Sequence, residues 1–314
     1  MTTARPPAGS APATAGASNR MFARFDATNT GVFTLRDWGL FCAIAGVWGA
    51  SFLFIDIGLD AFPPGFITLA RVALGAAVLN LLPRSRMRLD PEDRMRMGVL
   101  AVLWVAVPFT LFPLAEQHIN SAVTGLLNGG TPIFAAVVAT VFVRQPPART
   151  QLVGIVVGFS GIVTISAPSI GEGTNEAAGV AMVIAATVCY GFALNIAAPL
   201  QQRYGPVPLM ARMLAIASVL TAPYGLAELG DVEAELGPAV AVTVLGVVGT
   251  GLAFAAMATL VGRVGSTRAS FTTYLIPVVA LGLGVVFRGD SVHPITLGGV
   301  VLVIAGAVLA SRRA

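Results

Sequence analysis

The chain reads as an all-α polytopic membrane protein: ten transmembrane helices arranged as two inverted five-helix repeats. Three observations predict this: ten apolar stretches, a one-sided distribution of arginine, and an internal repeat with an odd number of spans. The stretches run over roughly 38–58, 64–83, 97–115, 120–143, 150–167, 178–199, 206–227, 238–262, 269–287 and 293–310, about two-thirds of the 314 residues. A helix needs about 20 such residues to cross a hydrocarbon core of about 30 Å. Of 34 formal charges only Asp56, Arg71 and Arg212 fall inside these spans. Charged residues make up 11% of the chain, against about 25% in soluble domains, so a water-soluble fold is excluded.

The orientation follows from the loops. Nineteen basic residues, all arginine, divide unevenly. Arg5, Arg20, Arg24, Arg36, Arg84, Arg86, Arg88, Arg94, Arg96, Arg144, Arg149, Arg203, Arg263, Arg268, Arg312 and Arg313 lie on the side of the N-terminus, and Arg288 alone lies opposite. That bias puts both termini in the cytoplasm of a cell-membrane protein, and an even number of spans agrees with it. The pI of about 9.7 therefore reflects membrane orientation and not a nucleic-acid surface.

Residues 1–35, rich in Ala, Thr, Pro, Ser and Gly, are expected to form a disordered cytoplasmic tail. They contain no apolar run resembling a signal peptide. Span 1 carries Trp48, Ser51 and Phe52, with Asp56 near its far end. Span 2 follows Pro63-Pro64 and carries Arg71 about seven residues in, ~10 Å deep at 1.5 Å per residue. Span 3 holds Trp104 and Phe109, and ends at Glu116 and His118; these two and Asp56 are expected to be solvated at the outer interface, with a proton site as the alternative. Span 4 contains Asn128, Gly129, Gly130, Thr131 and Pro132. Span 5 carries Gly154, Gly158 and Gly161, a spacing that permits close helix contact, read as packing against span 4 with homodimerisation as the alternative. Span 6 holds Cys189 and Tyr190, and span 7 holds Arg212. Span 8 carries no charge. Span 9 holds Ser270, Thr272, Thr273, Tyr274 and Pro277, and span 10 repeats the glycines at Gly299 and Gly306.

Spans 9 and 10 repeat spans 4 and 5. Shifted by 145 residues, 121–166 overlays 266–311 without a gap, matching Pro132 to Pro277, Gly154 to Gly299 and Gly161 to Gly306. Earlier the shift is 141, which places Ala70-Arg71 on Ala211-Arg212. Five spans per repeat is odd, so the second repeat crosses the membrane in the opposite sense. Inverted repeats of this kind are typical of secondary transporters.

At these residues the chain resembles the drug/metabolite transporter superfamily, in its type with two EamA domains, over about 36–311. The resemblance rests on Val47-Trp48-Gly49-Ala50-Ser51-Phe52-Leu53-Phe54, on Pro63-Pro64 before Ala70-Arg71, on the mid-span prolines Pro132 and Pro277, and on the glycines of spans 5 and 10. Gln145 and Asp290 stand where the family usually has glutamate, and Cys189-Tyr190 where it usually has tryptophan. The resemblance implies EamA-like repeats at 36–167 and 178–311. It also implies a secondary active transporter, exporting small organic metabolites such as amino acids or drug-like compounds by alternating access.

The residues suggest where a substrate would sit. Pro132 and Pro277 interrupt backbone hydrogen bonding near Asn128 and Thr273, and broken helices at the midplane point to a transporter site. An arginine within a span is costly and usually faces a cavity or partner, so Arg71 and Arg212 are candidate carboxylate anchors or gates, with snorkelling to the interface as the alternative. The candidate substrate-binding set is Trp48, Ser51, Phe52, Arg71, Trp104, Asn128, Thr131, Tyr190, Thr273, Tyr274 and Arg212, with Pro132 and Pro277 as helix breaks. Two cysteines inside spans and two loop histidines make no metal cluster, no Gly-Lys-Thr phosphate motif is present, and no cofactor or catalytic residue is expected. The alternative is a non-transporting membrane protein, either a lipid-modifying intramembrane enzyme or a receptor.

Overall fold

The computed structural model describes residues 33–86, 88–142, 148–172, 174–264, 269 and 271–311. The tail expected over 1–35 lies outside the described residues as far as residue 32, as do Arg268, Ser270, Arg312 and Arg313. The structure is all-helical, with 88% helix and no strand among the described residues. Eight helices are long and apolar enough to cross a membrane. They are α1 Leu35–Leu59, α2 Pro64–Leu81, α3 Pro91–Glu116, α4 Ser121–Val141, α5 Arg149–Pro168, α6 Asn175–Tyr204, α7 Pro206–Ala227 and α8 Leu236–Val261. Two shorter apolar helices follow, α9 Thr272–Arg288 and α10 Pro294–Leu309. Val156, Val163, Val219, Val286 and Val301 point outward and are exposed. That inverts the rule for soluble proteins and suits a lipid surround.

Local signals set the helix ends. Thr34 and Asp37 close a reciprocal capping box at the start of α1, satisfying backbone donors that the helix leaves free. Asn120 caps α4 by accepting from Val123 N–H. Proline opens α2, α7 and α10, where its missing N–H costs nothing.

The helices pack in matched pairs. α2 packs on α7, and α5 on α10. α3 and α4 both pack on α6, while α8 and α9 both pack on α1. α2 meets the middle of α8, α7 meets the middle of α3, and α4 crosses α9. Each middle is a stretch of wider π-helical turns, Ala101–Ala106 in α3 and Leu245–Leu252 in α8. The α5–α10 contact is the tightest: a Cβ on Gly161 would lie 2.6 Å from Val303 N and 2.7 Å from the Gly299 carbonyl, and one on Gly306 would strike the Gly158 backbone. The α5 glycines thus serve chiefly to admit α10. Gly158 also touches Ile133 of α4, the neighbour expected from sequence.

Ion pairs fasten both ends of the bundle. Where α1 begins, Arg263 of the α8 segment pairs with buried Asp37, and Arg203 of α6 pairs with Asp90, Glu92 and Asp93 at the start of α3. Tyr204 O–H donates to Asp93 at 2.8 Å. At the opposite end Arg288 of α9 bridges Asp56 and Asp60 of the α1 terminus. The helix of α3 starts six residues earlier than its apolar run predicts, because Pro91 and this acidic turn form its first turn.

Candidate functional site

The expected site residues separate into three groups. The first surrounds Arg71. It is 7% exposed, so it does not snorkel; it lies across the interior. Its Nε–H donates to Thr250 Oγ1 at 3.0 Å, and its guanidinium carbon lies 3.8 Å from the centroid of the Phe109 ring, a cation–π arrangement. Thr250 is held in turn, because its hydroxyl donates to the Leu245 carbonyl, five residues back, at 3.0 Å. Phe109 is fixed by Thr68, whose hydroxyl donates to the Phe109 carbonyl at 3.0 Å.

Trp48 and Ser51 reach the same stretch of α8. Trp48 Nε1–H donates to the Gly249 carbonyl at 3.2 Å, and its ring meets Phe254 with centroids 5.6 Å apart. Ser51 Oγ lies beside Gly249 and donates to Val47 O. Phe52, Phe112 and Tyr190 continue the wall, with centroids 5.6 Å apart for the first pair and 6.0 Å for the second. Trp104 and Tyr190 both pack against a cluster built by α2, α3, α6 and α7.

The second group is the pair of helix breaks. The structure interrupts α4 at Gly129-Gly130 and begins α9 with a tight turn over Phe271–Tyr274. Pro132 and Pro277 each stand second in the helical segment that follows, Thr131–Val141 and Ile276–Leu283. The two breaks touch: a Cβ on Gly129 would lie 2.5 Å from Pro277 Cγ. The Asn128 carbonyl, expected to be free, accepts from Thr131 Oγ1 at 2.8 Å. Tyr274 O–H donates to the Ala307 carbonyl of α10 at 2.9 Å, tying its ring to α10. Thr273 is half-buried beside it.

Arg212 forms the third group. It is exposed and lines a cavity of about 580 Å³ with Arg88, Leu89, Arg94 and Ile216, toward the end where α1 begins. Arg71 and Arg212 are equivalent in the sequence repeat, yet only Arg71 is buried.

Glu116 corrects an expectation. It is 8% exposed instead of solvated, and neither carboxyl oxygen has a hydrogen-bond partner. Asp56, also expected to be solvated, is engaged by Arg288. Thr250 and Phe112 are the residues of the site that the sequence did not single out. Thr250 shares its span with the hydroxyls of Thr243 and Thr259, and only its contact with Arg71 singles it out.

A buried guanidinium on an aromatic face, beside indole and phenol rings, suits a small organic ligand. The matching family model is the EamA-like transporter family, over residues 37–167 and 177–312. The chain belongs to this family. Among its relatives is an uncharacterized transporter of Archaeoglobus fulgidus, 23% identical over 279 residues, covering 89% of this chain and 100% of the relative. A probable terminal-alkyne amino-acid exporter of Streptantibioticus cattleyicolor is 24% identical over 279 residues, covering 88% and 93%. YedA, an uncharacterized inner membrane transporter of Escherichia coli, is 24% identical, covering 87% and 89%. A crystal structure 18% identical to this chain shares the fold, with a TM-score of 0.61 over 87% of this chain and 96% of the other. The EamA-like chain is thus a multi-pass membrane protein of a transporter family, as its sequence resemblance implied.

Proposed function

We propose that this EamA-like chain is a secondary active transporter exporting small organic metabolites, amino acids among them, by alternating access. Its ten helices act as two inverted repeats, 36–167 and 178–311, in the cytoplasmic membrane with both termini inside. The observation that carries this reading is the matched pairing of equivalent helices: α2 with α7, α5 with α10, α3 and α4 on α6 against α8 and α9 on α1. The wider turns in α3 and α8 fall 144 residues apart at their starts, 101 and 245, close to the sequence shift of 145. Two halves related in this way rock about a site between them.

The substrate lies against Arg71, with Trp48, Phe52, Tyr190 and Trp104 as its walls and Ser51 beside it. Asn128, Thr131, Thr273 and Tyr274 flank it at the helix breaks, and Arg212 stands at the cytoplasmic mouth. A relative named as an amino-acid exporter supports a substrate with a carboxylate for Arg71. Counterflow in proteoliposomes against amino acids, nucleosides and cationic drugs tests the reading. Saturable exchange of one class is expected, and no exchange by folded protein across the panel overturns it.

A further inference from the structure

Glu116 is the one buried carboxylate among the described residues whose two oxygens both lack a partner. Its charged surroundings are Asp56 and Arg71 on α1 and α2, and Arg288 and Asp290 at the end of α9. Most of these are committed. Arg288 holds Asp56 and Asp60, and Asp290 accepts from the Ser121 hydroxyl at 2.9 Å and from Ala122 N–H at 3.0 Å. Arg71 is the exception. Its only hydrogen bond among the described residues uses Nε, leaving both terminal nitrogens for a ligand. The Arg71 guanidinium lies over Phe109, and Glu116 stands about two helical turns further along the same face of α3, yet no nitrogen–oxygen distance between them falls within 4.0 Å. A buried guanidinium and a buried carboxyl thus face one interior from α2 and α3 with unused polar atoms and no direct contact.

Buried polar groups without partners are rare and call for an explanation. A ligand carrying both complementary charges supplies one. We infer that Glu116 is a specificity-determining residue: with Arg71 it forms a two-point receptor for a small zwitterion, the ligand's carboxylate on Arg71 and its primary ammonium on Glu116. The inference rests on the transport reading above and names the substrate class of that site. Arginine offers the carboxylate two parallel N–H donors. The carboxyl of Glu116 accepts two of the three ammonium hydrogens, and Phe109, Phe112 and Tyr190 keep water away. Neither charge of the ligand is then desolvated unpaired, and neither protein charge stays orphaned. A ligand lacking either charge leaves one protein group buried without a partner, so it binds more weakly, by ~100-fold for a site built to pair that group.

The test uses the full chain, purified and reconstituted. The probes are the amino acid that exchanges best in counterflow, its deaminated acid and its decarboxylated amine, each titrated as a competitor. Wild type is expected to prefer the amino acid to both analogues by at least tenfold. In Glu116→Gln the preference over the deaminated acid should collapse to within threefold, while the preference over the amine persists. In Arg71→Gln the pattern should reverse. Glu116→Asp, with charge kept, should retain the preference for the ammonium; it provides the readout if the glutamine variant does not elute as a monodisperse species. An unchanged preference for the ammonium in folded Glu116→Gln overturns the assignment. Exchange of neutral or cationic compounds with no amino acid accepted overturns the receptor but leaves transport standing. No exchange of any kind overturns both.

Discussion

Thr250→Val is the sharpest probe of how Arg71 is held. Valine matches threonine in shape but lacks the hydroxyl, so two hydrogen bonds go at once: the 3.0 Å acceptor for Arg71 Nε–H and the 3.0 Å donor to the Leu245 carbonyl. The first is charge-assisted and buried, worth about 1.5–3 kcal/mol. The second is an ordinary neutral bond, about 0.5–1.5 kcal/mol. Together they are worth about 2–4.5 kcal/mol, near the upper range for single substitutions. Thr250→Ser keeps both bonds and loses only the methyl that packs where a Cβ on Gly75 would stand, 2.7 Å away; one methylene equivalent costs about 0.8 kcal/mol. Chemical unfolding in micelles should order the variants wild type, serine, valine. Adding Arg71→Gln completes a double-mutant cycle, whose coupling should be about 1.5–3 kcal/mol. A valine variant as stable as the serine one, or a coupling of zero, refutes the reasoning.

Four shorter expectations accompany it. Arg71→Lys should recover only part of carboxylate transport lost in Arg71→Gln, since an ammonium cannot reproduce the two-pronged contact; initial rates for one acidic and one neutral substrate decide it, and equal loss for both removes Arg71 as an anchor. Gly306→Ala places a methyl into the Gly158 backbone and should cost about 1–3 kcal/mol as overpacking, measured by unfolding; a neutral result contradicts the close seam. Arg288→Gln should cost less than about 1 kcal/mol because its pairs are partly exposed, yet it should raise the labelling rate of a cysteine placed at Leu59; an unchanged rate shows that Arg288 does not hold that end shut. A reporter active only outside the cytoplasm should be silent at Ala314 and active at Ala177; the reverse pattern inverts the orientation.

Much of the fold was legible because the bilayer imposes a length and a hydropathy that side-chain detail cannot hide. The apolar runs located the eight long helices and the two shorter ones, and the paired prolines located the breaks; the span 5 glycines read as packing on span 4, whereas their closest backbone partner is α10. Charge was harder to read. Asp37 fell one residue outside an apolar window, yet the capping box and Arg263 draw it inside the bundle with no exposure. Glu116 looked like a terminal, water-facing residue because hydropathy stops at it; α6 closes over that terminus, with Gly179 against the Ala115 carbonyl, and burial there depends on a contact distant in sequence. Arg71 and Arg212 are interchangeable by periodicity. What separates them is tertiary: Thr250 and Phe109 meet the first, while the second opens onto a basic cavity.

The α5–α10 seam has a mechanical consequence. Its closest contacts are backbone on backbone, through Gly158, Gly161, Gly299 and Gly306, so no rotamer has to change when one helix turns over the other. Elsewhere, at Arg203 or Arg288, a comparable displacement must pull charged groups apart before it can begin. A smooth bearing at one edge and breakable latches at the two mouths is the division of parts a fulcrum needs: tilt costs little where the helices touch, and its price is set where the arginines let go.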